Sequence, residues 1–380
     1  VMLLPMWMWA QGGEPELADK YFRDAEYENA LNLYNKLQKQ EPENRTYNLR
    51  VAECQQKLGQ YSECVSSLEK AYRRNPTEYI YGFVLGDAYR LAGDFKKAES
   101  TENETITKRM QSEADFMEVG AWLTDQGKNE LALRVYQQGR KTLHSKYVFG
   151  DEIGHLYKLV GEYGLATQEY LEQYYLNPSL INTIKTNILT VVNDRSKDIV
   201  EKTLLDAVNK NGKDLGLRTM VFDFYVLTQN FYEALVQCKS IDKVNNEDGG
   251  RVFQYALTLR NNKEYKLSNK ALDYVIETHE GSSYYMRSFQ EKAVNGEMLA
   301  FESLPPDTVA IREAVNAYDA LFAQFGRRPV FYDAMYRKAK LLAFYLFDLD
   351  KALSELELAT AQQLKPQEMA QVNLLIGDVL

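Results

Sequence analysis

Leu85-Gly86-Asp87-Ala88-Tyr89-Arg90-Leu91-Ala92-Gly93-Asp94-Phe95, with Ala98 just beyond it, is the stretch on which the fold reading turns. It sets a small residue (Gly86), an aromatic three later (Tyr89), a glycine (Gly93), a second aromatic (Phe95) and an alanine (Ala98) at fixed offsets. A step of 34 residues in either direction returns the same types. Ala30, Cys64, Ala98, Ala132 and Ala166 form one ladder, continued by Val200 and Ala234. Gly59, Gly93, Gly127 and Gly161 form a second. Tyr27, Tyr61, Phe95, Tyr163, Phe231 and Tyr265 form a third, interrupted by Asn129 and Lys197. Ala18, Ala52, Gly86, Gly120, Gly154 and Ala256 form a fourth, broken by Ile188 and Phe222, and Pro42, Pro76 and Pro178 share a fifth slot.

Each slot has a physical meaning. Small residues at two points per unit let two helices approach closely. The glycine slot suits a helix end that enters the left-handed conformation. Proline at the unit boundary stops one helix and starts the next. Within a unit the apolar residues recur at helical spacing, as in Ala30, Leu31, Tyr34 and Leu37, without strand-like alternation. The expected fold is all-α, a chain of antiparallel helix pairs. Cys64 occupies an alanine slot and is expected to be a small core residue. With Cys54 and Cys238 it makes an odd, sparse set that is neither a disulfide framework nor a zinc site.

This register resembles the tetratricopeptide repeat (TPR). Gly86, Tyr89, Gly93, Phe95 and Ala98 follow the family pattern, as do Gly154, Tyr157, Gly161, Tyr163, Ala166, Tyr170 and Pro178. The first unit runs Ala18, Tyr21, Tyr27, Ala30, Tyr34, Pro42. The resemblance implies a right-handed α-solenoid. Five regular units are expected over 14–178 and divergent TPR-like units over 179–280. Over 281–380 come irregular helix pairs and the start of a truncated further repeat. In 179–212 the slots hold Ile188, Val191, Val200 and Leu204, so looser packing is expected in two helices, Ser179–Val192 and Ser196–Asn209. Further helices are expected at Ser283–Ser303, from Asp307 to Phe325, Val330–Leu346 and Asp350–Leu364. Asp348 and Asp350 are expected to cap the last of these.

The chain of 380 residues carries a net charge of −9 and is 45% apolar. That balance argues against nucleic acid as partner, since phosphate binding rests on Lys and Arg. Met2-Leu3-Leu4-Pro5-Met6-Trp7-Met8-Trp9-Ala10 reads as the rear of a secretory signal peptide, so 1–13 is expected to be its remnant. The alternative is a short apolar helix that packs on the array. No other apolar run reaches the roughly 18–20 residues of a membrane span. His144, His155 and His279 are scattered without metal-ligand spacing, and no nucleophile or phosphate-loop motif occurs. No catalytic residue, cofactor or metal is expected.

The expectation is therefore a non-catalytic scaffold for a protein or extended peptide, with oligomeric state left open. It resembles the large secreted TPR proteins of Bacteroidota, which implies export, to the periplasm. The alternatives are a cytoplasmic regulator or co-chaperone-like module and, behind it, the substrate-binding arm of an enzyme. In the family the ligand lies in a concave groove lined by first helices. Carried over by register, the groove positions are Asp19, Phe22, Arg23, Leu49, Glu53, Gln56, Lys57, Phe83, Asp87, Arg90, Met117, Asp125, Asp151, His155 and Lys158. A carboxylate clamp built from lysine and asparagine on the first helices is not expected, because Pro15, Asp19, Leu49 and Glu53 occupy its positions.

Overall fold

The computed structural model describes residues 13–380. The run Met2–Ala10, and with it the expected signal remnant, lies outside the described residues except for Gly13. Every regular element among the described residues is helical. The chain divides into two compact units, one ending at Ile184 and the other beginning at Lys185.

The first unit contains five hairpins: α1 (Glu14–Arg23) with α2 (Tyr27–Gln40), α3 (Arg45–Lys57) with α4 (Tyr61–Arg74), α5 (Ile80–Leu91) with α6 (Phe95–Glu104), α7 (Glu113–Asp125) with α8 (Asn129–Thr142), and α9 (Gly150–Leu159) with α10 (Tyr163–Leu176). A π-helical turn, Thr105–Arg109, extends α6. A 3-10 turn at Pro178–Leu180 leads into α11 (Ile181–Val191), which spans the boundary. The second unit continues with α12 (Lys197–Lys210), α13 (Leu215–Leu227), α14 (Phe231–Asn245), α15 (Gly250–Asn261), α16 (Tyr265–Thr278), α17 (Tyr285–Ala300), α18 (Thr308–Phe325), α19 (Tyr332–Phe344), α20 (Leu349–Thr360) and α21 (Pro366–Val379).

The second helices begin at Tyr27, Tyr61, Phe95, Asn129, Tyr163, Lys197, Phe231 and Tyr265, so the 34-residue step holds even where the residue type fails. The turn before each is built alike. Gly59, Gly93, Gly127 and Gly161 take φ between 72° and 85°. The next N–H reaches back five residues, as from Asp94 to the Tyr89 carbonyl (2.8 Å) and from Glu162 to that of Tyr157 (2.8 Å). This bond releases the helix end from its own axis and turns the chain back. Ala25, Gln229 and Lys263 hold the same slot and also adopt positive φ. At Arg195 the device changes, and the buried Ser196 hydroxyl donates to the Val191 carbonyl instead (2.7 Å).

The small-residue ladder is buried throughout: Ala30, Cys64, Ala98, Ala132, Ala166, Val200, Ala234 and then Ser268. The two polar members are satisfied in one way. Cys64 Sγ donates to the Ala52 carbonyl (3.5 Å) and Ser268 Oγ to the Ala256 carbonyl (2.7 Å), each in the first helix of its own pair. Burial pushes the Cys64 thiol up to about 11, as befits a packing residue rather than a nucleophile. Ile188, Val191, Val200 and Leu204 are also buried.

The C-terminal helices differ from expectation at their ends. α17 begins at Tyr285 rather than Ser283, after a turn closed by Tyr285 N–H on the Ser282 carbonyl. It stops at Ala300, whose carbonyl the Asp307 N–H caps. Asp307 then caps α18 through the Val309 N–H (2.8 Å). Pro329 opens a 3-10 turn before α19, and α20 is capped by Asp348, with Asp350 inside its first turn. Between α18, α19 and α20 lies a buried ion cluster. Glu355 takes a two-pronged contact from Arg327 (2.9 Å each) and a third from Lys338 (2.6 Å), which also reaches Asp319 (2.6 Å).

Candidate functional site

In the first unit the first helices α1, α3, α5, α7 and α9 form one wall. Arg45, at the start of α3, places its guanidinium 3.4 Å from Glu78 and 3.0 Å from Glu118 on α7. That pairing skips the hairpin between. Neighbouring helices stand about 8–10 Å apart, so one side-chain pair covers two such intervals only where the first-helix ends converge. The first-helix ends of α3 and α7 converge on this side of the unit, here termed its inner side.

Two clusters stand on that wall. The first joins α1 to α3. Arg50 lies over the Phe22 ring (4.6 Å to the centroid), 3.8 Å from Asp19, and donates to Glu53 (2.7 Å). Asp19 also accepts from the Tyr34 hydroxyl, whose pKa is raised by burial and by that carboxylate. The second cluster joins α5 to the α7–α8 turn. Asp87 pairs with Arg90 (3.2 Å) and with Lys128, which sits 5.6 Å from the centre of the Trp122 ring. Arg90 reaches inward to Glu102 on α6 (2.7 Å).

The expected groove residues divide by burial. Asp19, Phe22, Leu49, Glu53, Gln56, Asp87, Arg90 and Lys158 are half-buried, and Arg23, Lys57, Met117, Asp125, Asp151 and His155 are exposed. Phe83 is a correction. It is 0% exposed, packed with Ile106, Phe116 and Val119, and lines no groove. The register puts it on the inner face, but its side of α5 is closed by the residues around the π-helical turn. The structure brings together Asp19, Phe22 and Glu53, and separately Asp87 and Arg90.

Register reasoning missed Arg50, Trp122, Lys128 and Glu102. Glu102 carried a signal. It stands four residues after Ala98, in the slot that is otherwise Tyr34, Leu68, Tyr136, Tyr170, Leu204, Cys238 and Leu272. All of these are buried, and Glu102 is 0% exposed. Gly86 supplies the room, since a Cβ there would come within 2.8 Å of the carboxylate. Burial raises the Glu102 pKa, and Arg90 opposes the rise. Reversing the charge of Arg90 would therefore place two carboxylates together in the core, so Arg90 is unsuited to probing the surface alone.

Among the described residues no group of three or more His, Cys, Asp or Glu side chains could hold a metal ion. No helix there is long and apolar enough to cross a membrane.

These features define a helix-hairpin repeat protein with an inner wall of mixed charged and aromatic side chains. A family model described as tetratricopeptide repeat matches residues 55–113, and the helices on either side of that segment keep the same 34-residue step. No curated protein matches it in sequence. Among solved structures it is similar to the MamA protein (16% identity over 44% of this chain and 92% of that one, TM-score 0.26). It is also similar to the P58(IPK) TPR domain (13%, 87% and 96%, TM-score 0.26) and to yeast Tom70 (12%, 97% and 95%, TM-score 0.28). Likenesses this distant carry no further argument.

Proposed function

We propose that this chain is a non-catalytic scaffold that holds an extended segment of another protein along the first-helix wall of its N-terminal unit. The observation that carries the reading is the contrast between the helix pairs. The small-residue ladder of the second helices is spent on packing, while consecutive first helices keep half-exposed charged and aromatic side chains on one inner side. Such a surface suits a peptide that offers both polar and apolar side chains. Met117, Asp125, Asp151, His155 and Lys158 extend the wall past the two clusters.

A photo-cross-linking residue at Met117 or His155, compared with one at Tyr61 on a second helix, tests this in the native cell. Cross-linked partner peptides from the wall positions are expected. Adducts from Tyr61 alone would place the partner elsewhere.

Export to a bacterial periplasm is a separate part of the reading. It is supported by the apolar run Met2–Ala10 followed by Gln11. The N-terminus of exported material, read by mass spectrometry, is expected to begin at Gln11. An intact run on cytoplasmic protein would sink this part.

A further inference from the structure

A second surface in the first unit is built from second helices and owes nothing to the inner wall. Between the end of α8, the linker to α9, and α10 opens a cleft of about 820 Å³, within the range of small-ligand and peptide-segment sites. Its linker, residues 143–149, is longer than the other inter-hairpin links of α1–α9, which run over 41–44, 75–79 and 110–112.

The linker is held in place. Phe149 takes φ +61° and drives its ring into the core against Tyr136 and Phe116. A left-handed conformation at so bulky a residue is rare, and such strain concentrates where a binding surface needs it. Arg140 Nε grips the Val148 carbonyl (2.8 Å), and its fork closes on Glu169. Gln173 donates to the Tyr147 carbonyl (3.3 Å), and its side-chain amide lies directly against Gly150, where a Cβ would displace it. The middle of the linker, Ser145-Lys146-Tyr147, lines the cleft on this fixed frame.

The charge of the cleft is uneven. Arg140 and Glu169 neutralise one another. Lys141 and Lys146 are exposed and make no ion pair with any described carboxylate, although acidic residues outnumber basic ones 54 to 45 in the chain. Against them, and His144, stands Glu172. Tyr147 adds a half-open aromatic ring. We propose that this cleft is a docking site for an acidic peptide segment of a partner protein. Its carboxylates would bridge Lys141 and Lys146, and an apolar side chain would lie on Tyr147.

The probe is a fluorescein-labelled peptide of glutamates around a single phenylalanine, followed by anisotropy against the full chain at stepped salt. Binding that weakens with salt is expected, and a glutamine version of the peptide should not bind. Lys141→Glu/Lys146→Glu should weaken binding about tenfold or more. Lys141→Gln/Lys146→Gln, which adds no repulsion, should weaken it less. Lys39→Glu/Lys70→Glu, an equal charge change on α2 and α4, should leave it intact. Circular dichroism checks that each variant folds. Equal binding of the glutamine peptide, equal loss in the Lys39/Lys70 variant, or saturation by inorganic phosphate without peptide binding would each overturn the proposal.

Discussion

Arg90 on the inner wall holds the carboxylate of Glu102 at 2.7 Å, and that carboxylate occupies a core slot that is apolar in every other unit of the 34-residue register. A buried charge is costly unless paired. Arg90→Ala should therefore destabilise the N-terminal unit by about 1–3 kcal/mol, less than a fully buried pair because water reaches the guanidinium. Glu102→Leu, which restores the residue of Leu68, Leu204 and Leu272, should be neutral or stabilising. The double variant should recover most of the loss of Arg90→Ala. Urea midpoints of the three variants decide it. If Glu102→Leu proves as damaging as Arg90→Ala, the carboxylate has a packing role that its surroundings do not show.

Two of the buried carboxylates, Glu102 and Glu355, should respond to pH with opposite sign. Burial raises Glu102 above its ordinary 4.5, with Arg90 opposing. Its folded form holds the proton more tightly than the unfolded chain. The stability it contributes is present below about 4.5 and lost as pH rises through the folded value. Burial also acts to raise Glu355, but the hydrogen bonds and charges of Arg327 and Lys338 win and hold it below 4.5. Its contribution is present above 4.5 and lost as pH falls through the folded value. Relative to wild type, Glu102→Leu should gain stability as pH rises past 4.5. The deficit of Glu355→Gln should shrink as pH falls below 4.5. Unfolding at stepped pH that shows the same trend for both would contradict the assignment.

The turn slot before each second helix offers stabilising changes. Ala25, Gln229 and Lys263 adopt φ of 61°, 58° and 64° where Gly59, Gly93, Gly127 and Gly161 do so freely. The left-handed conformation costs a residue with a Cβ about 1–2 kcal/mol. Glycine returns about 0.4–1 kcal/mol of that through the freedom of the unfolded chain. Each change to glycine should stabilise by about 0.5–1 kcal/mol, and Gly93→Ala, the reverse exchange in the same slot, should destabilise by about 0.5–1 kcal/mol. Thermal unfolding of the single variants measures both. A loss of stability in Lys263→Gly would show that its side chain compensates for the strain.

Much of this architecture was legible because a repeat writes its packing rules several times over. The alanine ladder located a buried contact in every unit, and the glycine ladder located the left-handed turns. Ser268 escaped notice because a hydroxyl does not resemble alanine until its bond to the Ala256 carbonyl is seen. The helix ends near Tyr285 and Tyr332 were misplaced because a serine-rich turn and a proline-led 3-10 turn look locally like helix starts. The surface was less legible. Register tells which side of a helix faces inward, not what neighbouring units place over it, so Phe83 was read as open. Arg50 and Lys128 were missed because their partners come from other hairpins or from a turn.

In three of the N-terminal pairs the first and second helices also compensate each other in volume, and this can be tested directly. The slot holding Gly120 faces the slot sixteen residues on, Tyr136, and Gly154 likewise faces Tyr170. A Cβ at Gly154 would stand 2.6 Å from the Tyr170 ring, and one at Gly120 would meet the Tyr136 ring closer still. In the second pair the same two slots hold Ala52 and Leu68, both buried in one cluster. In these three pairs the larger first-helix residue accompanies the smaller second-helix one, whereas the first pair sets Ala18 with Tyr34. Gly120→Ala should cost about 1–3 kcal/mol through overpacking, and Tyr136→Leu should cost a comparable amount through the space it leaves. Gly120→Ala/Tyr136→Leu recreates the Ala52–Leu68 combination and should be more stable than the sum of the singles by about 1 kcal/mol or more. A double-mutant cycle on urea unfolding reads that coupling. Strict additivity would mean that each helix sets its own spacing without regard to its partner.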